Sequence, residues 1–209
     1  AAIEQIGAWI DGGATWEKHW AYIPPASGMP PTVGNTAWPR SAIDKFILAR
    51  LEQEDLAPSP EAAKRVLLRR LHLDLTGLPP EPGAITTYLS DDSPGAYERL
   101  VDGLLTSPHF GEKWARWWLD LAGYADSDGF LSDFHRPQAW RYRQWVVDAL
   151  NANMPFDQFT IEQVAGDLLP DATPRERMGT GFFRNTLSNR EGGADLEDYR
   201  TMQATDRVI

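Results

Sequence analysis

Three aspartates close together in the middle of the chain could form a metal site. Asp126, Asp128 and Asp133 surround Gly129, and calcium sites in proteins combine carboxylate oxygens with a turn glycine. The spacing departs from the helix–loop–helix calcium pattern, because aligning the glycines puts Tyr124 at the first ligand position. The loop therefore predicts either a calcium site of another kind or a structural joint. In the joint, Asp126 and Asp128 cap a helix end or pair with the nearby arginines Arg136, Arg141 or Arg143.

A second loop, residues 189–195 (NREGGAD), offers two further carboxylates, Glu191 and Asp195. Together with Asp126 and Asp128 they could line a cleft that acts on glycans, because glycoside hydrolysis uses two suitably spaced carboxylates. The competing interpretation is a turn between helices whose glycines supply positive φ. The glycan hypothesis requires these carboxylates to converge on one pocket with exposed aromatic rings.

Tryptophan is concentrated in the stretch that leads into the loop with Asp126, Asp128 and Asp133, which we call the aspartate loop. The chain contains nine tryptophans, and each brings a large ring and an indole N–H that needs a partner when buried. Trp114, Trp118 and Leu121 recur at intervals of four and seven residues, which corresponds to one face of a helix. The spacing predicts that these three side chains share a packed face.

Residues 135–145 (HRPQAWRYRQW) combine aromatic rings with arginines. Helical spacing predicts that two of Trp140, Tyr142 and Trp145 face the core. The alternative is an exposed ring that stacks on a carbohydrate or another flat ligand while arginine binds its polar groups. Every cation beyond Lys113 is arginine, and we expect these arginines to form a mostly structural network with Asp and Glu.

Composition excludes several classes of function. A net charge of −10 and a pI near 4.8 argue against a nucleic-acid backbone or an anionic lipid surface as the main partner. The chain has no cysteine, so these residues cannot form a disulfide, a thiolate zinc site, an iron–sulfur cluster or a covalent c-type haem attachment. No apolar run approaches the length of a membrane span.

The hydrophobic pattern predicts an all-α fold, an irregular multi-helix domain with a proline-rich N-terminal strap. Residues 20–40 contain paired prolines and glycines, which favour extended and turn backbone. From Ser41 onward, apolar residues recur at helical spacing. Ser107-Pro108 opens the tryptophan helix, and Thr173 with Glu176 has the spacing of a capping box.

Many collinear runs of the chain resemble the planctomycete cytochrome-c-associated domain of unknown function. The longest are residues 38–51 (WPRSAIDKFILARL), 71–80 (LHLDLTGLPP) and 107–116 (SPHFGEKWAR). Shorter runs follow at 119–122, 124–126, 140–143, 153–157, 165–170 and 191–193. The resemblance extends from about Trp20 to the end of the chain.

The resemblance implies that this chain is the middle part of a large exported protein, periplasmic or on the cell surface. Residues 1–19 then correspond to the closing helix of a preceding cytochrome c domain, 20–40 to a linker, and 41–209 to a helical domain that continues beyond Ile209. A c-type haem is expected on a CxxCH motif shortly after this segment. The expected partners are therefore other segments of the same polypeptide, and the sequence does not identify the redox partner.

On this resemblance, the expected function is a scaffold that seats haem for electron transfer in a multihaem cytochrome. The residues expected closest to haem are His109, His135, Trp114 and Trp118. The apolar wall is expected to consist of Trp114, Trp117, Trp118, Trp140 and Trp145. In this interpretation Asp126, Asp128 and Asp133 form a structural joint or a calcium site.

Overall fold

A computed structural model describes residues 2–129, 133–188 and 195–206. These residues confirm the predicted all-α class, since they form ten α-helices and their β-type pairing is one isolated bridge between Ser127 and His135. The chain divides into two compact units, residues 1–61 and 62–209. The first contains α1 (Ala2–Asp11) and α2 (Ala42–Gln53). The second contains α3 (Lys64–Leu75), α4 (Pro82–Ser90), α5 (Ala96–Leu105), α6 (Pro108–Leu121), α7 (Trp140–Asn151), α8 (Phe156–Ala165), α9 (Pro174–Gly179) and α10 (Leu196–Asp206).

The first unit is organised by side-chain caps. Ser41 and Asp44 form a capping box at the start of α2. The carboxylate of Glu52 accepts hydrogen bonds from the backbone N–H groups of Gly34 and Asn35, which fixes the turn that follows the prolines. Between α1 and α2 the chain forms one short 3-10 helix and otherwise irregular backbone, because proline lacks a backbone donor and restricts the residue before it.

Helix starts in the second unit follow local signals. Pro108 is the first residue of α6, and the Ser107 hydroxyl accepts a hydrogen bond from the N–H of His109. The predicted capping box of α9 is confirmed, with Thr173 and Glu176 each accepting from the other's backbone N–H. These bonds hold the pKa of the Glu176 carboxyl below its usual value. A charged carboxylate there also complements the positive end of the helix.

Helices α6 and α7 approach each other closely because α6 presents small residues. A Cβ added to Gly111 would lie 2.5 Å from the carbonyl oxygen of Val147. The N–H of Gly111 donates to Asn151 Oδ1 at 2.7 Å, which ties the two helices at this point. Ala115 is buried one turn further along α6. Backbone contact of this kind leaves room for no larger side chain.

Helices α8 and α9 also meet through glycines. A Cβ on Gly166, which follows α8, would lie 2.2 Å from the carbonyl oxygen of Glu176, and one on Gly179 would lie 2.7 Å from that of Glu162. The core of the second unit forms where this pair meets α6 and α7. Its fully or nearly buried members are Ala115, Ala122, Tyr142, Trp145, Val146, Ala149 and Phe159.

Candidate functional site

Helix α6 has two faces of opposite character. The buried face contains Gly111, Ala115, Trp118 and Ala122. The other face, which we call the outward stripe, contains Phe110, Trp114, Trp117 and Leu121. In the outward stripe, Trp114 is 41% exposed, Trp117 53% and Leu121 81%. The helix therefore displays its large apolar side chains and packs mainly its small ones.

The predicted shared face of Trp114, Trp118 and Leu121 is wrong. Of these three, only Trp118 packs against the core, because four residues along a helix still rotate a side chain by about 40°. That rotation decides which side chains of α6 are packed, since α7 can approach α6 only where Gly111 and Ala115 leave space. Which face of α6 is buried therefore depends on α7, a separate helix later in the sequence.

Trp118 is fixed by a polar network inside the core. Its indole N–H donates to Gln163 Oε1 at 2.8 Å, and the Tyr142 hydroxyl donates to the same oxygen at 2.6 Å. The ring of Trp118 lies edge-on to Phe159 with centroids 4.9 Å apart. Tyr142 and Trp145 are buried while Trp140 is 48% exposed, so the prediction that two of these three aromatics face the core is confirmed.

His109 stands in the first turn of α6. Its Nδ1 lies 2.7 Å from Glu112 Oε2, and both side chains are about half exposed. Further along the helix, the Arg116 guanidinium lies 5.3 Å from the ring centroid of Trp117. The exposed side of α6 thus combines large rings with an imidazole held by a carboxylate.

Asp128 forms a buried joint with Arg136. The carboxylate of Asp128 is fully buried and accepts from Arg136 Nε at 2.8 Å. Arg136 also donates to the carbonyl oxygens of Arg184 and Thr186, at 2.9 and 2.6 Å. One guanidinium therefore ties the aspartate loop to the chain that follows α9, as the joint interpretation expected for this pair.

The other two aspartates of the loop have different partners. Asp126 accepts a hydrogen bond from the Tyr124 hydroxyl, and burial together with this bond raises the pKa of Tyr124 well above its usual value. Asp133 accepts from the N–H of Gly129 at 2.7 Å. Hydrogen bonds from the Ser127 hydroxyl and from this N–H lower the pKa of the Asp133 carboxyl. Within the described ranges, no three acidic or histidine side chains form a metal-binding group, and calcium at this loop stays a prediction.

The residues expected near haem do not gather at one point. His109 and Trp114 belong to the first half of α6, while Trp118 packs against the core. His135 pairs by its backbone with Ser127 in the loop after α6. His109 lies in the first turn of α6 and His135 in the loop that follows the helix, so most of the 14 residues of α6, about 20 Å of helix, separate them along the chain.

Three of the four carboxylates of the glycan hypothesis are occupied by structural bonds. Asp195 caps α10 by accepting from the N–H groups of Glu197 and Asp198. Asp126 and Asp128 belong to the aspartate loop, and none of these three lines either cavity of the second unit that is described below. Glu191 lies outside the described residues. The geometry thus gives this catalytic hypothesis no support in the described chain.

An arginine-lined cleft of about 820 Å³ is the feature that the sequence patterns did not locate. Its guanidinium groups come from Arg136, Arg141, Arg177, Arg184 and Arg200. The expected structural network holds for Arg136 with Asp128. It fails for Arg141, Arg177 and Arg184, which form no ion pair with a carboxylate in the part of the chain that the structure describes. The one sequence feature that relates to this cleft is the absence of lysine after Lys113.

A smaller pocket of about 280 Å³ lies around Trp140. The exposed Trp140 ring and Met178 form its apolar part, and the buried Trp145 also lines it. Its polar groups belong to Arg141, Gln144, Asp148 and Arg175. Gln144 Nε2 donates to Asp148 Oδ1 at 2.8 Å, which holds these two side chains in fixed positions.

Comparison with known proteins gives one match. A family model described as PSCyt2, Protein of unknown function (DUF1549), matches residues 42–209, about four-fifths of the chain. No curated protein and no solved structure matches. None of the helices in the described ranges has the length and apolar character of a membrane span.

Proposed function

The chain belongs to the PSCyt2 family (DUF1549), and from this premise we propose that it is a scaffold module of an exported, periplasmic or cell-surface, multihaem c-type cytochrome of planctomycete type. In this role its helical domain seats a haem-bearing segment of the same polypeptide for electron transfer. The haem is attached to flanking sequence, because the chain has no cysteine.

The observation that carries this proposal is the outward stripe of α6. Trp114, Trp117 and Leu121 expose large apolar surfaces next to one another, whereas soluble proteins seldom expose contiguous apolar patches unless a partner covers them. Phe156, at the start of α8, is a further exposed ring beside α6, since it is 71% exposed and lies edge-on to Trp118. Aromatic surfaces of this kind dominate the energetics of interfaces.

His109 supplies a polar group of the kind that a haem site uses. Histidines that bind a metal usually place their other ring nitrogen against a carboxylate, and His109 Nδ1 has such a contact with Glu112. His109, Trp114 and Trp117 would therefore border the haem. When bound, haem would supply one-electron transfer, while these residues would orient it and exclude water from its edge.

The test uses the longer polypeptide that carries the haem-attachment segment. Its absorption spectrum should show c-type haem, and a Trp114→Ala/Trp117→Ala variant should change the haem reduction potential. Trp16→Ala is the control, because Trp16 is exposed in the first unit. A colourless protein with intact CxxCH motifs would contradict the proposal. A potential that the double variant leaves unchanged would show that the stripe does not seat haem.

A second candidate function is carbohydrate binding, which the Trp140 pocket favours. An exposed indole ring beside fixed amide, carboxylate and guanidinium groups can stack on one sugar face and bond its hydroxyls. The roughly 280 Å³ volume suits a single sugar ring rather than a large ligand. The proposal covers binding alone, since Asp126, Asp128 and Asp195 are engaged in structural bonds.

This second candidate is tested by affinity electrophoresis in gels that contain neutral or acidic polysaccharides. A binding polysaccharide should retard the protein, and Trp140→Ala should abolish the retardation. Trp117→Ala is the matched control, because it removes an equally exposed indole outside the pocket. Equal mobility of the wild-type protein in all gels would remove carbohydrate binding from consideration.

A further inference from the structure

The arginine-lined cleft concentrates positive charge in an acidic protein. Five arginines line it, and its described lining contains no aspartate, glutamate or lysine, although the whole chain carries a net charge of −10. The arginines come from the start of α7, from α9 and the chain after it, and from α10. Since they are distant in sequence, the fold itself brings these like charges together.

Three of the guanidinium groups are available to a ligand. Arg141, Arg177 and Arg184 form no ion pair within the described ranges, and all three residues are exposed. The ion pair with Asp128 fixes the Arg136 side chain, which forms part of the cleft wall. Guanidinium forks match carboxylate, sulfate and phosphate oxygens in two-point contacts.

The start of α7 adds to the same positive field. Gln138 and Ala139, which immediately precede the helix, line the cleft. Ala139 is the N-cap residue, and no side chain caps this helix end. The N–H groups of Arg141 and Tyr142 bond to the carbonyl oxygens of Gln138 and Ala139. This helix end therefore adds the partial positive charge of its dipole rather than free backbone donors.

Asn185 supplies an independent sign of a missing acceptor. It lines the cleft, and its Nδ2 is buried without a hydrogen-bond partner in the described chain. A buried donor without an acceptor is costly, and rotation of this amide into the cleft would let it donate to an anion there. Ser188 and Gln203 also line the cleft.

We propose that the arginine-lined cleft binds a small organic polyanion with two or more carboxylate, sulfate or phosphate groups. Several separated guanidinium groups require more than one anionic group for full pairing. The volume of about 820 Å³ lies in the range of small-molecule sites and is far larger than a single inorganic ion needs. This site is separate from the outward stripe of α6 and does not depend on the haem proposal.

The test is calorimetric titration of the full chain with inorganic phosphate, citrate and a sugar bisphosphate. Citrate or the bisphosphate should bind at least about tenfold more tightly than phosphate, because each further anion pairs with another guanidinium. Added salt should weaken the binding. Preference for citrate or for the bisphosphate identifies carboxylate or phosphate as the preferred anion.

Variants assign the binding to the cleft. Arg177→Ala/Arg184→Ala should weaken it at least about tenfold, whereas Arg69→Ala, on the exposed side of α3, should leave it unchanged. Arg177→Lys/Arg184→Lys keeps the charge and removes the fork, so it should bind with intermediate affinity and serves if the alanine variant misfolds. No heat with any probe, or equal weakening by Arg69→Ala, would overturn the proposal.

Discussion

The two faces of α6 show how one helix serves packing and display at the same time. On the buried face, Gly111 and Ala115 let α7 approach to backbone contact. Trp118 and Leu119 are the large side chains of α6 that pack against the core. On the outward stripe, Trp114 and Trp117 are largely exposed. The comparison teaches that tryptophan content alone does not locate a core. Small residues mark the packed face here, and exposed rings mark the face available to a partner.

The largest expected effect is on the buried face at Trp118. Trp118→Ala removes a partly buried indole that packs against Phe159 and donates to Gln163. We expect a loss of about 3 kcal/mol, the lower end of the range for truncation of core tryptophan. Denaturant unfolding followed by circular dichroism measures the loss. Trp16→Ala in the first unit should leave the midpoint of the second unit unchanged. A free energy of unfolding close to wild type for Trp118→Ala would contradict the proposed difference between the buried face and the outward stripe.

Gly111→Val should lower the free energy of unfolding by about 3 kcal/mol, near the upper end of the range for overpacking. The added Cβ would meet Val147 O and the Asn151 side chain at 2.5 and 2.6 Å, so α6 and α7 would have to separate. Gly103→Ala is the control, because no atom lies within 4 Å of a Cβ there. That change should stabilise α5 by about 0.5–1 kcal/mol. Equal midpoints for the two variants would show that close approach is not what selects the buried face.

Gln163→Leu should lower the free energy of unfolding by about 1–3 kcal/mol, because it removes the acceptor that two hydrogen bonds share. The Trp118 indole and the Tyr142 hydroxyl share Gln163 Oε1, so both lose that partner. Thermal unfolding measures the effect. Gln144→Leu removes an exposed amide on α7 and serves as the control. If both variants unfold at the same temperature, polar anchoring of Trp118 contributes nothing to the buried face.

The smallest effect on stability concerns pH. Burial lowers the pKa of His72 below 6.5, and His72 lies on α3, which also contacts α6. The unfolded state then binds the proton more readily, so this contribution to stability is present above pH 6.5 and declines as the pH falls. Unfolding midpoints at about pH 5 and about pH 7.5 should differ less in His72→Leu than in wild type. His19→Leu should retain the wild-type difference.

Local features of the fold could be predicted from sequence, because their causes lie within one turn of chain. The Thr173–Glu176 capping box and the start of α6 at Ser107-Pro108 are examples. Their residues interact with backbone groups two or three positions away. The all-α class followed in the same way from helical spacing.

The candidate sites could not be predicted in the same way, because their causes are distant in sequence. The assignment of Trp118 to the core depends on α7 and on Gln163 of α8. The arginine-lined cleft joins Arg141 with Arg200, which only the packing of α7, α9 and α10 brings together. Residues four apart on a helix differ in direction by about 40°, and this rotation separates the exposed Trp114 from the partly buried Trp118.

The central claim is that the outward stripe is not needed for the fold and is available to a partner. The most direct measurement is the unfolding midpoint of Trp117→Ala beside that of Trp118→Ala. Surface substitutions usually change stability by at most about 0.5 kcal/mol, and we expect Trp117→Ala to lie within that limit while Trp118→Ala unfolds far more readily. A loss for Trp117→Ala as large as that for Trp118→Ala would contradict the claim.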